Sequence, residues 1–257
     1  MKAVILAGGL GTRMREETEF RPKPMVEVGG KPILWHLMKI FAAQGVTEFI
    51  ILTGYKGKMI KRYFHDYSYL NRDFTIHIGE PPHVEYHGSH EEDGWKVTVL
   101  DTGELSLTGE RILRAKKHIG DEPFFLTYGD GLANVNLGEL LKTHSNTGAT
   151  LTISTSRPHS RFGVVAVSNG GLVEHFSEKP QGQELVNIGF MVANAAIFDH
   201  LSMGSALEDG AIPSLAKKAL LSAHRHEGFW QPMDTVRELK ILVELWETGA
   251  APWTRPA

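Results

Sequence analysis

The sequence has no cysteine, no long apolar run and no surplus of charge of either sign. Without cysteine there is neither a disulfide framework nor a thiolate metal site. No stretch approaches the ~18 apolar residues that a membrane helix needs. Met1-Lys2 runs directly into "AVILA", too short for the apolar core of a signal peptide. Lys and Arg number 27 against 30 Asp and Glu, a net charge of −3, so nothing draws the chain toward nucleic acid or an anionic membrane. Internal repeats, low-complexity tracts and linkers are missing as well. These absences lead us to expect a cytoplasmic, globular protein with no nucleic-acid or membrane partner.

Apolar residues make up 42% of the 257 positions, enough to bury a substantial core. "KAVILA" is a continuous apolar run, as expected of a strand covered on both faces. "KPILWHLMKIFAAQG" then carries Ile33, Leu34, Leu37, Met38 and Phe41 at helical spacing, with Gly45 as its stop. "EFIILTG" reads as a second buried strand and "KGKMIKRYFHDY" as a second helix. Further strands are predicted at 74–78, 96–100 and 124–127, with an exposed loop or short hairpin between the first two. Helices are predicted at 109–119, 136–148, 212–223 and 235–248. From Ala149 onward short alternating segments indicate antiparallel or mixed strands. The β-α-β-α start predicts an α/β, Rossmann-like doubly wound mixed sheet in three αβα layers. We expect one domain over 1–257, with a nucleotide half at about 1–148 and an acceptor half at about 149–257.

The first strand runs into "ILAGGLGTRMREETEFRPKPM". Glycines at such a junction permit positive φ and let a ligand approach bare backbone N–H groups. A dinucleotide fingerprint would need a small third residue where Met14 stands, and the Gly-Lys-Ser/Thr ending of a P-loop is missing. What remains is Gly-Gly-x-Gly-Thr-Arg followed by Pro22-Lys23-Pro24. Two cations on a glycine loop suit a triphosphate, whose charge needs neutralising at several points. The prolines restrict the backbone around Lys23. Asp130, in "FFLTYGDG", falls at the carboxyl end of a predicted strand, where open α/β sheets bind ligands. Asp234, in "FWQPMDT", falls where a helix cap is also expected, and Trp230 is expected to pack the loop that presents it. The paired "HRH" at 224–226 and His87 and His90 show no ligand spacing and read as surface or packing residues.

This loop resembles the signature of the sugar-1-phosphate nucleotidylyltransferases. "GYKG", "DTG…TGER", "TYGDG", "RFG", "EKP", "GFWQPMDT" and "APW" follow in that family's order, so the resemblance spans essentially the whole chain. "EET…PKPMVEVGGKPILWH" is most similar to members that use CTP and glucose 1-phosphate to make CDP-glucose. The resemblance implies that Leu6, Ala7, Gly8, Gly9, Leu10, Gly11, Thr12, Arg13, Lys23, Thr108, Arg111 and Gly129 bind nucleotide. It implies that Tyr128, Glu178, Lys179, Asn187 and Gly189 bind the sugar phosphate, that Asp130 and Asp234 hold Mg²⁺, and that Arg13, Lys23, Asp130 and Lys179 are catalytic. Arg161 serves either the pocket or the fold. For Thr108 and Arg111 a helix start, with Thr108 as cap and Arg111 exposed, is compatible with the same role. The family also implies a homo-oligomer, commonly a hexamer, and a place in surface-polysaccharide synthesis. The attacking phosphate oxygen is already ionised, so no general base is required. The residues alone do not select the base: UTP and dTTP stay open, as does a non-catalytic sugar-nucleotide sensor.

Overall fold

The computed structural model describes residues 1–79, 81, 83–158, 162–182 and 184–255. Seven strands form the central sheet: β1 (Lys2–Ala7), β2 (Glu48–Thr53), β3 (Lys96–Asp101), β4 (Phe124–Tyr128), β5 (Leu151–Ser156), β6 (Val186–Ala193) and β7 (Leu221–Arg225). Their spatial order is β7-β5-β6-β4-β1-β2-β3. β1 pairs in parallel with β2 and β4, and β2 with β3. β6 runs antiparallel to both β4 and β5, and β7 lies parallel to β5 at the edge. The mixed sheet expected from the change of pattern after Ala149 is therefore present.

The apolar runs are buried on both faces, and alternate residues feed two separate cores. Ala3, Ile5, Phe49, Ile51, Phe125 and Val192 face one side, against Leu34, Leu37, Met38 and Phe41 of helix Ile33–Ala42 and Leu140 of helix Leu137–Thr147. Val4, Leu6, Ile50, Leu52, Phe124 and Leu126 face the other, against Ile112, Ile119, Phe198, Leu207 and Leu215. Phe41 sits at the centre of the first core, 5.7 Å from each of the Phe125 and Phe190 ring centroids. Helices thus cover the sheet above and below.

Several predicted elements change form in the fold. The helix predicted over 212–223 ends at Lys217. There the chain reverses through Ala219 at φ 56°, and Leu221–Arg225 becomes the edge strand beside Leu151. Tertiary pairing overrides local propensity there. The helix predicted over 109–119 is two pieces, Thr108–Arg114 and Lys116–Ile119. The one over 56–67 stops at His65, with a short helix at Tyr67–Asn71. The polar stretch after Phe74 belongs to a hairpin that pairs Phe74–His77 with His83–Tyr86. Among the described residues no helix is long and apolar enough to cross a membrane.

Candidate active site

The carboxyl ends of β1 and β4 open into one cleft of about 550 Å³. The continuous run Leu6, Ala7, Gly8, Gly9, Leu10, Gly11, Thr12 and Arg13 lines it, together with Lys23, Thr108, Arg111, Tyr128, Gly129, Asp130 and Asp234. Every expected nucleotide residue and both expected metal ligands therefore meet at one place. The loop does not enter a long helix. Gly11, at φ 63°, turns it into a single 3₁₀ turn at Thr12–Met14 and a short helix at Arg15–Thr18. The hydroxyl of Thr18 donates back to the Gly11 carbonyl at 3.1 Å. A Cβ on Gly11 would stand 2.7 Å from Thr18 Cγ2, so both the backbone angle and the space demand glycine.

Arg111 is not the exposed helix residue that a bare helix start suggests: it is buried to 3% exposure. Its guanidinium donates to the carbonyls of Thr53, Gly103, Gly8 and Glu104 and to the hydroxyl of Thr102. A cation bonded mostly to carbonyl oxygens braces the loops it touches, here the glycine loop against the turn after β3. Desolvation lowers its pKa, Glu110 and Asp101 work against that, and as a guanidinium it keeps its charge. Nor is Thr108 the cap of its helix; Leu107 holds that position. The Thr108 hydroxyl instead accepts from the Leu207 amide at 2.8 Å and donates to Glu208 at 2.5 Å.

Asp130 and Asp234, far apart in sequence, are joined by a two-strand ladder. Gly131–Ala133 pairs antiparallel with Trp230–Pro232, and the Met233 amide donates to the Asp130 carbonyl at 2.8 Å. Trp230 lies in that ladder, as its expected packing role requires. Asp234 is then fixed by the next helix, Val236–Glu247, whose start is a capping box. Thr235 accepts from the Glu238 amide, and Glu238 Oε2 accepts from the amides of Thr235 and Asp234.

Lys23 Nζ lies between the two carboxylates, 2.7 Å from Asp130 Oδ2 and 2.6 Å from Asp234 Oδ1. Arg13 reaches the other Asp234 oxygen at 2.6 Å with an exposed side chain. Burial pushes the Lys23 ammonium down, but the charges and hydrogen bonds of Asp130 and Asp234 outweigh it and hold Lys23 above its ordinary pKa. The ammonium stands where a small cation would bridge the pair, and the oxygen donors suit a hard divalent ion. Among the described residues no third His, Cys, Asp or Glu joins them, so such an ion would complete its shell from phosphate oxygens and water.

The acceptor residues are placed less compactly. Lys179 and Asn187 line a second, larger cleft of about 1290 Å³ whose other wall includes Trp230, Thr235 and Arg237. The two clefts adjoin, since Asp234 borders one and Thr235 the other. Lys179, at φ 46°, pairs with Glu178 at 3.1 Å. Gly189 accepts no side chain: a Cβ there would stand 2.5 Å from the Tyr128 ring, and its amide donates to Asn187 Oδ1 at 2.9 Å. Arg161 lies outside the described residues. His226 bonds the Phe229 carbonyl and His224 the Thr143 hydroxyl. Sequence reasoning missed Glu208, which lines the first cleft and accepts from the Tyr128 hydroxyl at 2.5 Å. A lone glutamate between a surface turn and a helix carries no sequence signal; only its two hydroxyl partners, 80 and 100 residues away, mark it.

Comparison with known proteins gives the family. The chain is 45% identical to a glucose-1-phosphate cytidylyltransferase of Salmonella typhimurium over 98% of both chains. It is 46% identical to a probable glucose-1-phosphate cytidylyltransferase of Bacillus subtilis, over 98% of this chain and 99% of the other. Among solved structures, HddC from Yersinia pseudotuberculosis shares the fold at a TM-score of 0.68 and 24% identity, over 95% of this chain and 99% of the other. A putative glucose-1-phosphate thymidylyltransferase from Bacillus anthracis, in complex with a sucrose, does so at 0.68 and 17% identity, over 98% of this chain and 95% of the other. The nucleotidyl transferase family model matches residues 2–231, a span that takes in the glycine loop, Lys23 and Asp130: the chain belongs to the nucleotidyl transferase family.

Proposed function

We propose that the chain transfers the cytidylyl group of CTP to α-D-glucose 1-phosphate, releasing CDP-glucose and pyrophosphate. The base and sugar follow from its likeness to the Salmonella typhimurium and Bacillus subtilis proteins. The observation that carries the chemistry is the Lys23 ammonium held between Asp130 and Asp234 beneath a glycine loop. In the reaction an oxygen of glucose 1-phosphate attacks the α-phosphorus, and the bond to the β-phosphate breaks with its electrons leaving on pyrophosphate. Both nucleophile and leaving group are anions, so catalysis is positioning and charge neutralisation rather than proton transfer.

The loop from Gly8 to Thr12 cradles the outer phosphates, and Arg13 neutralises the departing pyrophosphate. Lys23 moves from the carboxylates toward the reacting phosphate. Lys179 holds the acceptor phosphate, Asn187 and Glu178 face sugar hydroxyls, and Tyr128 and Gly189 shape the wall between the clefts. Asp130 and Asp234 hold Mg²⁺, which supplies Lewis-acid stabilisation of phosphate charge when bound. The two halves, about 1–148 and 149–257, act as one domain in a cytoplasmic homo-oligomer. The test is pyrophosphate release with glucose 1-phosphate and Mg²⁺, comparing CTP, UTP, dTTP and ATP. CTP leading by about tenfold, some 1.4 kcal/mol of discrimination, is expected. A lead by UTP or dTTP overturns the base assignment, and turnover that survives Asp130→Asn overturns the metal role.

A further inference from the structure

The first cleft holds a carboxylate that this chemistry leaves unused. Asp130 and Asp234 are neutralised by Lys23 and Arg13. Glu208, across the cleft and exposed to it, has no cation partner among the described residues and is gripped by two hydroxyls instead. Tyr128 donates to Oε1 and Thr108 to Oε2, each at 2.5 Å. The Thr108 oxygen also accepts from the Leu207 amide at 2.8 Å, which fixes the direction of its own proton. The carboxylate is thus pinned from two elements, the helix of Thr108 and the strand of Tyr128, while each oxygen retains a second lone-pair site.

A polyanion entering this cleft cannot lay its phosphates against an uncompensated carboxylate. They belong at the opposite end, with the glycine loop, Arg13 and Lys23. What meets Glu208 must be uncharged and rich in donors. The nucleotide ribose fits by position as well as chemistry. In the proposed reaction Asp130 lies by the reacting phosphate, and Tyr128 stands two residues before it at the end of β4, on the side where a ribose follows its 5′-phosphate. A carboxylate taking ribose hydroxyls is the same pairing that dinucleotide-binding folds use.

We infer that Glu208 accepts the 2′-hydroxyl of the nucleotide ribose and thereby selects ribonucleotides over 2′-deoxyribonucleotides. The inference rests on the cytidylyl-transfer reading. Its discriminating power comes from the fixed position of the carboxylate: two hydroxyls hold Glu208 in place, a deoxyribose offers it no third donor, and sites built to bond a hydroxyl disfavour the analogue that lacks it.

The experiment compares CTP with 2′-deoxy-CTP in pyrophosphate release and in calorimetric binding, for the unaltered chain and for Glu208→Gln. Glutamine keeps the shape and can satisfy both hydroxyls, one as acceptor and one as donor, so the fold is retained; thermal denaturation checks this. The unaltered chain is expected to favour CTP by about tenfold or more in kcat/KM, and Glu208→Gln to bring that ratio near unity. Equal use of both nucleotides by the unaltered chain, or an unchanged ratio in Glu208→Gln, overturns the inference. A change confined to discrimination between glucose 1-phosphate and 2-deoxyglucose 1-phosphate also overturns it, by assigning Glu208 to the acceptor. Failure of CTP itself to bind or react is a different result, since it removes the reading beneath.

Discussion

Lys23 neutralises Asp130 and Asp234, and the proposed reaction also calls for it on the phosphates; a single charged atom makes these two roles mutually exclusive. A Lys23→Met chain leaves the two carboxylates facing each other without the ammonium that now separates them. Nucleotide-free Lys23→Met is therefore expected to bind Mn²⁺ more tightly than the unaltered chain, read by calorimetry or paramagnetic resonance. Its turnover should nonetheless fall by about 10²–10³. Equal Mn²⁺ affinity in both chains would show that Lys23 does not occupy the cation position. Gly11 is a second residue where one atom decides. Gly11→Ala meets both φ 63° and a 2.7 Å contact with Thr18, and should cost about 1–2 kcal/mol of stability in urea unfolding while raising the KM for CTP.

Among the elements, the helix at Val236–Glu247 does most to build the site, because its capping box also fixes Asp234. Removing the cap with Thr235→Ala should lower stability by about 1 kcal/mol. It should also raise the Mg²⁺ concentration needed for half-maximal turnover, since Asp234 loses its neighbour's restraint. A stability loss with unchanged metal dependence would separate the cap from the site. The helix at Ile33–Ala42 lines neither cleft. Phe41→Ala empties the space between Phe125 and Phe190 and should cost about 3–5 kcal/mol, with the KM for both substrates unchanged in whatever fraction stays folded.

Over the whole molecule, His36 ties early and late parts of the chain together. Its Nε2 donates to the Val28 carbonyl at 2.8 Å, and its ring packs edge-on to Trp35, Trp246 and Trp253. Burial is the main cause of a pKa lowered from 6.5 to about 4; the Val28 bond opposes it and Lys31 adds to it. Well above pH 6.5 neither the folded nor the unfolded chain protonates His36, so its stabilisation is whole. As pH falls from 6.5 toward 4, the unfolded chain takes up a proton that the fold excludes. Stability is then lost across that window, by about 3 kcal/mol at its lower end. His144 and His224, also lowered by burial, act in the same direction. Urea midpoints measured between pH 7.5 and 4.5 should trace this loss, and a His36→Phe chain should show a shallower slope.

The central strands, the helix at Ile33–Ala42 and the glycine loop were legible because their signals are local: an apolar run, a 3.6-residue period, an unprotected turn. Two cations of the first cleft were legible too, since Arg13 and Lys23 lie within one short stretch whose glycines and prolines declare its conformation. What stayed hidden depends on partners distant in the chain. Leu221–Arg225 became a strand because Leu151–Ser156 offers an edge to it, not because its own residues demand one. Arg111 turned inward because five acceptors, from the glycine loop, the end of β2 and the turn after β3, surround it. By itself, then, the sequence determined the layered α/β fold and the chemistry of its nucleotide loop, through patterns that neighbouring residues write. Only the tertiary structure decided that Lys23 sits between two aspartates and that Glu208 faces the cleft. Those positions are set by strand pairing and packing across about a hundred residues or more, a range over which no local pattern carries information.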